Sequence, residues 1–302
     1  MVRQERSLQA DGRRVAIVSD SGADLPLATW DKFGIQMVPL RVNFGNESHL
    51  DKVGMTATNF WAELARNPRH PKTSQPPPGD FRRAYELLSS HFEHVVAVSL
   101  TGTLSGTHQA ALSAAGRVSR PAQLTVVDSR NVSVGQGLIV LCAAENAQAG
   151  KPVAEVLAAV ARAVAHTRTY GALPDLSYAL RGGRIPRRWR WLARAVPLSF
   201  LLATDERGGV KVRGMLRRGG DPVSALIRLA TQDRLLKSGA SPLRLAIAHA
   251  DSPGTAEALR TACVAAFPNL ESISIADLGP VYGVHAGPGA LALAVQEYQA
   301  PA

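Results

Sequence analysis

The chain has 302 residues, 46% of them hydrophobic and 19% charged, a balance that buries a sizeable core and excludes an intrinsically disordered protein. Aromatic residues make up only 5%, too few to serve as stacking platforms for single-stranded nucleic acid, and no apolar run reaches the length of a membrane span. Of the formal net charge of +10, residues 181–220 carry +9, with eleven Arg and Lys against two acids, so the basic character is local.

The first residues, MVRQERSLQA, lack the apolar stretch of a secretory signal, and 1–12 reads as a flexible tail. An apolar run at 14–18, ending in Ser19-Asp20-Ser21-Gly22, predicts a buried strand feeding a turn. Asp24-Leu25-Pro26 opens a short helix to 33, followed by a strand over 35–44 and a helix over 58–66. The Pro-rich stretch 68–78 breaks that helix and reads as strand-free. Phe81, Tyr85 and Leu88 then lie at helical spacing within 80–91. A strand at 95–100, a Gly- and hydroxyl-rich turn at 101–107, a helix to 118 and a strand at 124–127 complete an alternation that argues for a parallel α/β sheet.

Helices at 137–148 and 153–166 follow, and the second half changes character. Strands are expected at 169–180, 198–204 and 210–216, then a helix at 221–236, a strand at 243–248, a helix at 255–266, a strand at 272–277 and a last helix at 288–299. This predicts two α/β domains, 13–168 with a parallel sheet between helices and 169–302 with a mixed sheet. Cys142 and Cys263 lie in apolar, helix-like surroundings and read as buried thiols of a protein in the reducing cytoplasm.

Four segments carry candidate chemistry. In Gly283-Val284-His285-Ala286-Gly287-Pro288-Gly289, a histidine among glycines precedes an expected helix, whose N-terminus would favour an anion; the alternative is a tight turn with an incidental histidine. Thr73-Ser74-Gln75-Pro76 offers uncharged donors suited to a carboxylate or phosphate, or is an ordinary ST-turn. The turn from Ser99 to Thr107 resembles a phosphate cradle in type but has no P-loop lysine. Arg181-Gly182-Gly183-Arg184 puts fixed positive charge beside flexible backbone, a carboxylate-binding arrangement or a basic turn. Metal-binding and nucleophile signatures such as Cys-x-x-Cys, His-Glu-x-x-His and Gly-x-Ser-x-Gly do not occur. His91 and His94 have no acidic partner at ligand spacing, and no metal site is expected.

Seven pieces in sequence resemble the DegV family of fatty-acid-binding proteins. They are Ser19-Asp20-Ser21 with Asp24-Leu25-Pro26, Val38-Pro39-Leu40, Thr73-Ser74-Gln75-Pro76, Leu104-Ser105-Gly106-Thr107, Asp128-Ser129, Gly182-Gly183-Arg184, and His285 with Gly287-Pro288-Gly289. The resemblance implies a two-domain α/β carrier, not an enzyme, that buries one long-chain fatty acid in an apolar tunnel without cofactor or metal. Its carboxylate would be held near the domain junction by Thr73, Ser74, Thr101, Gly102, Arg184 and His285. The resemblance further implies presentation of the acid to a separate ATP-dependent fatty acid kinase subunit, which forms an acyl phosphate for phospholipid synthesis. Where the family has a Ser-Ser pair, this chain has Thr101-Gly102, so residue 102 offers only a backbone amide. The Arg/Trp stretch 187–191, inside the basic 181–220 segment, suggests docking to a partner or transient contact with an anionic membrane. Two other classes fit less of the chain: a stand-alone phosphotransferase or hydrolase using His285, and an anionic-polymer binder using 181–220. No nucleic acid partner is expected, because no DNA-reading motif accompanies the basic segment.

Overall fold

The structure, a computed structural model, describes residues 14–183, 198–217, 219–233 and 241–301. Strands β1 (Val15–Asp20) and β6 (His94–Ser99) are near-continuous apolar runs, and such strands belong in the middle of a parallel sheet covered on both faces. They do lie there: β2 (Gln36–Val38), β1, β6 and β7 (Leu124–Asp128) form a four-stranded, all-parallel sheet. One face packs against α1 (Leu27–Phe33), α5 (Ser133–Gln148) and α6 (Val153–Ala165) through Trp30, Ile139, Val140 and Val156. The other packs against α3 (Pro78–Ser89) and α4 (Thr107–Ala115) through Phe81, Tyr85, Leu88 and Ala111. A small antiparallel sheet is formed by β3 (Arg41–Phe44) between β4 (Glu47–Leu50) and β5 (Lys72–Ser74). Helix α2 (Ala57–Arg66) lies between β4 and β5 in sequence.

The second large sheet has six strands: β8 (Thr167–Leu173), β9 (Leu198–Thr204), β10 (Val210–Arg217), β11 (Leu243–His249), β12 (Leu270–Asp277) and β13 (Leu291–Glu297). Their order is β10-β9-β8-β13-β11-β12, and β11 with β12 is the parallel pair in an otherwise antiparallel ladder. Helices α8 (Pro222–Thr231) and α9 (Pro253–Ala266) cover one face through Leu226, Leu259 and Cys263. Helix α5 covers the other face through Val134 and Leu138. Two short helices, α7 (Ser177–Arg181) and α10 (Pro280–Ala286), and a 3₁₀ turn at Pro121–Gln123 complete the described elements. Cys142 and Cys263 are buried free thiols.

Several sequence expectations change. The single strand at 35–44 is two strands in different sheets, parted at Pro39-Leu40. The stretch 68–78 contains β5, so Thr73 sits on a strand. The strand expected at 169–180 ends at Leu173, before Pro174, and 177–181 is helical. The expected final helix at 288–299 is strand β13, and the helix lies upstream, at Pro280–Ala286. Leucine and alanine favour helix locally, but this segment is paired on both sides, to β8 and β11, and tertiary context overrides propensity. Its alternation has a period of two: Leu291, Leu293 and Val295 face the α8–α9 core, while Ala292 and Ala294 face α5. The expected tail, 1–12, lies outside the described residues.

Helix α5 is tied to the second sheet by a bidentate ion pair: Arg244 on β11 donates to both oxygens of Glu145 at 2.8 and 2.9 Å. The two side chains are only 8% and 18% exposed, and the guanidinium also stacks 3.8 Å from the Tyr298 ring. Removing one partner of a buried pair leaves the other charge uncompensated. Glu145→Ala is expected to lower unfolding stability by about 3 kcal/mol, and Glu145→Ala with Arg244→Met by less, in urea titrations.

Candidate functional site

A cavity of about 260 Å³ lies where the ends of β5 and β6 and the start of α5 meet the α5-facing side of the second sheet and helix α10. Its walls are mainly apolar, including Leu100, Val132, Leu173, Leu202, Val281 and Ala292. Among the described residues no Asp, Glu, Lys or Arg lines it.

Several polar groups in the lining are committed to protein partners. Ser133 Oγ donates to Asp24 Oδ2 at 2.6 Å, and Thr169 Oγ1 donates to Asn131 Oδ1 at 2.9 Å. Thr204 Oγ1 accepts from the Thr169 amide at 3.0 Å, and Ser105 Oγ pairs with Thr107 Oγ1 at 2.8 Å. Two half-buried side chains, Thr73 and His285, face each other instead, with Thr73 Oγ1 3.0 Å from His285 Nε2 across 212 residues of sequence. Exposed Ser74, beside Thr73, also lines the cavity.

Strand register and a close backbone approach bring this pair together. Thr73 stands opposite Val42 in the β3–β5 ladder. His285 occupies the last turn of α10, and its ring lies against Gly182 at the end of α7. A Cβ on Gly182 would fall 1.9 Å from His285 Nδ1, so only glycine admits the imidazole there. The helix expected after His285 is a strand, and the histidine stands at a helix C-terminus, so no helix N-terminus faces an anion there.

Other expected site residues are elsewhere. Thr101 Oγ1 donates to the Gly208 carbonyl at 3.1 Å, as does Thr103 Oγ1 at 2.7 Å, which holds the β9–β10 turn against the end of β6. The Gly102 amide donates to Asp128 Oδ2 at 3.1 Å. Neither Thr101 nor Gly102 lines the cavity; from the same turn, Leu104 and Ser105 do. Arg184 and the 187–191 stretch lie outside the described residues. Tyr282 is a lining residue that sequence reading missed. It is three residues before His285, one helical turn, a relation visible only once the helix is placed at 280–286.

Comparison with known proteins follows the same outline. A family model described as "Uncharacterised protein, DegV family" matches residues 14–297. The chain belongs to the DegV family. A DegV domain-containing protein of Streptomyces coelicolor is 32% identical to this DegV chain over 284 residues, 94% of this chain and 98% of the relative. Protein DegV of Bacillus subtilis is 28% identical over 280 residues, covering 92% and 98%. A DegV-family structure from Thermus thermophilus, described by its fatty acid binding, superposes with a TM-score of 0.85 at 29% identity, covering 94% of this chain and all (100%) of that one. The structure of DegV from Bacillus subtilis, described as a fatty acid binding protein, superposes at 0.81 with 26% identity, covering 95% and 100%. Among the described residues of this DegV chain, no helix is long and apolar enough to cross a membrane, and no group of three or more His, Cys, Asp or Glu is arranged to hold a metal ion.

Two predictions follow from the DegV-family site. Gly182→Ala should displace the His285 ring without unfolding the protein, read as a shifted imidazole NMR signal with an unchanged far-UV circular dichroism spectrum. The second concerns Asp51, buried beneath α10, whose Oδ1 accepts from the Val281 amide at 3.3 Å. Burial pushes its carboxyl up to about 7, against the opposing pull of the Lys52 ammonium. Burial raises Asp20 as well. Between the unfolded carboxylate value, near pH 4, and about pH 7, the folded chain keeps a proton at Asp51 that the unfolded chain has released. Folding stability should therefore fall as pH rises through that window, and Asp51→Asn should flatten the slope in urea titrations at pH 5, 6, 7 and 8.

Proposed function

We propose that this protein binds one long-chain fatty acid, with its acyl tail against the apolar walls of the cavity and its carboxylate at Thr73, Ser74 and His285. The observation that carries this reading is the contrast within the cavity: largely apolar walls with no charged residue among the described residues, and a polar end where Thr73 meets His285. An acyl tail gains roughly 0.8 kcal/mol per buried CH₂, so such walls suit it without any catalysis. A buried carboxylate needs hydrogen-bonded or charged partners, and a hydroxyl, an exposed serine and a histidine are donors of that kind. The Thermus thermophilus and Bacillus subtilis neighbours, both described as fatty acid binding, support the same ligand class.

The protein then acts as a cytoplasmic carrier rather than a complete enzyme. It presents the carboxylate to a separate ATP-dependent kinase subunit, which makes an acyl phosphate for phospholipid synthesis. Arg184 steadies the carboxylate during that transfer, and the basic 181–220 segment docks an acidic kinase surface or meets anionic lipid headgroups. In this reading Thr101 and Gly102 act on the site indirectly, by holding the turn that carries Leu104 and Ser105. These roles rest on the family resemblance and on the charge pattern of the sequence.

Native mass spectrometry of protein purified from cells should find a retained mass corresponding to a C16 or C18 acid. Thr73→Val and His285→Ala should each weaken binding of a fluorescent fatty acid by about 1.5–3 kcal/mol, roughly 10- to 150-fold, while the protein stays folded. Wild-type affinity in both variants would remove the head-group assignment.

A further inference from the structure

His285 stands at one end of α10, and the other end of that helix is held by a buried polar cluster to which the fatty-acid reading gives no part. Asp24 and Asp51 are 1% and 0% exposed. Asp24 Oδ1 accepts from the amide of Gly279, the residue that precedes α10, at 3.1 Å. Asp51 Oδ1 accepts from the Val281 amide in the first turn at 3.3 Å. Pro280 between them has no N–H, so these two carboxylates take the available donors at the start of the helix. Lys52 Nζ donates to Asp24 Oδ1 at 2.7 Å and to the carbonyls of Ser21 and Ala23 at 2.7 and 2.9 Å, which accounts for all of an ammonium's donors. From the start of α5, Ser133 Oγ donates to Asp24 Oδ2 at 2.6 Å and the Ser133 amide donates to the Tyr282 hydroxyl at 2.8 Å. The clamp thus joins the β1–α1 loop, the turn after β4, the start of α5 and α10.

The backbone is shaped around it. Lys52 and Ser133 have φ of 64° and 52°, two of the four non-glycine residues with positive φ among the described residues. Such conformations persist where surrounding structure over-determines them, as at ligand sites. A Cβ on Gly279 would fall 2.9 Å from both Asp24 Oδ1 and Lys52 Cε, so the carboxylate reaches the helix only because residue 279 is glycine. Helix α10 has seven residues, too few to hold its own geometry in water. Its orientation therefore comes from what grips its ends.

We propose that Asp24, Lys52 and Asp51 are positioning residues of the head-group site: by gripping the first turn of α10 they set where His285 stands against Thr73. From Gly279 to His285 the helix rises about 9 Å, so a small tilt at the clamp moves the imidazole out of reach of Thr73. None of the three residues lines the cavity, and their effect passes through the helix. The ligand in this inference rests on the fatty-acid reading, but the geometry does not, and two readouts separate them.

The first readout is the ¹⁵N spectrum of the His285 ring in ligand-free, histidine-labelled protein, assigned by its loss in His285→Ala. The second is the ratio of affinities for hexadecanoic acid and hexadecanol, which share a tail and differ in head group. Lys52→Met and Asp24→Asn should move the ring signals and weaken acid binding at least tenfold, with alcohol binding within about twofold of wild type. Ser133→Ala and Tyr282→Phe remove one hydrogen bond each without stranding a buried charge. They should move both readouts in the same direction, and they serve if the charged-pair variants do not fold. Glu145→Ala, which loosens α5 at its far end, should leave the ring signals and the ratio in place. Folded clamp variants with wild-type ring signals and a wild-type ratio would overturn the inference. If the wild-type protein binds no hexadecanoic acid, the fatty-acid reading fails and the ring signals alone decide the positioning role.

Discussion

Helix α5 has two sheets to satisfy, and the rest of the structure is arranged around that constraint. Its sequence, SVGQGLIVLCAAENAQ, is apolar or small on almost every side, and nearly all of it is buried. A helix with one buried face would show a polar stripe; this one packs Ile139 and Val140 into the core of the parallel sheet and Val134 and Leu138 into that of the mixed sheet. Glu145, at the far end, carries its charge inside because Arg244 meets it with two hydrogen bonds. The first turn of α5 lies beside both the cavity and the clamp on α10.

The cavity follows from that seam. Two sheets that share one helix cannot be filled evenly where the helix begins, and α10, β5 and the turn after β6 close the space. What they leave is a region walled mainly by apolar side chains from strands, α10 and the adjoining turns, with a polar end made where a strand tip meets a helix tip. Many hydroxyls along the lining are occupied by neighbouring acceptors. This matters for recognition, because a ligand with a long apolar body and one polar end matches such a surface without stranding a buried polar group.

Polar groups of both signs are buried here and yet balanced. Asp24 and Lys52 are paired at 2.7 Å, and their remaining hydrogen-bonding capacity goes to backbone amides, carbonyls and Ser133. Asp51 has one oxygen on the Val281 amide, and its other oxygen, Oδ2, is buried without a partner. That imbalance is consistent with a carboxyl that holds its proton far above the ordinary range. A buried cluster of this kind contributes little net stability compared with apolar packing, and its value lies in fixing one arrangement of the segments it joins.

The sequence by itself determined the two sheet types, because continuous apolar strands such as Val15–Asp20 can be satisfied only with cover on both faces, and that burial is written in composition. Thr73, Ser74 and His285, as hydroxyls and a histidine beside glycines and prolines, stand out locally, and all three line the cavity. Leu291–Glu297 shows where local information stopped. Leucine and alanine read as helix, and only pairing with β8 and β11 made the period of two decisive. Tertiary structure alone decided which parts of the hydroxyl-rich turns reach the cavity: Leu104 and Ser105 line it, while Thr101 and Gly102 bond to Gly208 and Asp128. It also decided that Gly182 serves by its missing side chain and that the Ser21 carbonyl and Asp24 belong with Lys52 and α10. Those relations join residues as far as 255 positions apart, as Asp24 and Gly279 are, and no local propensity or spacing encodes a contact that exists only after the sheets have packed on α5.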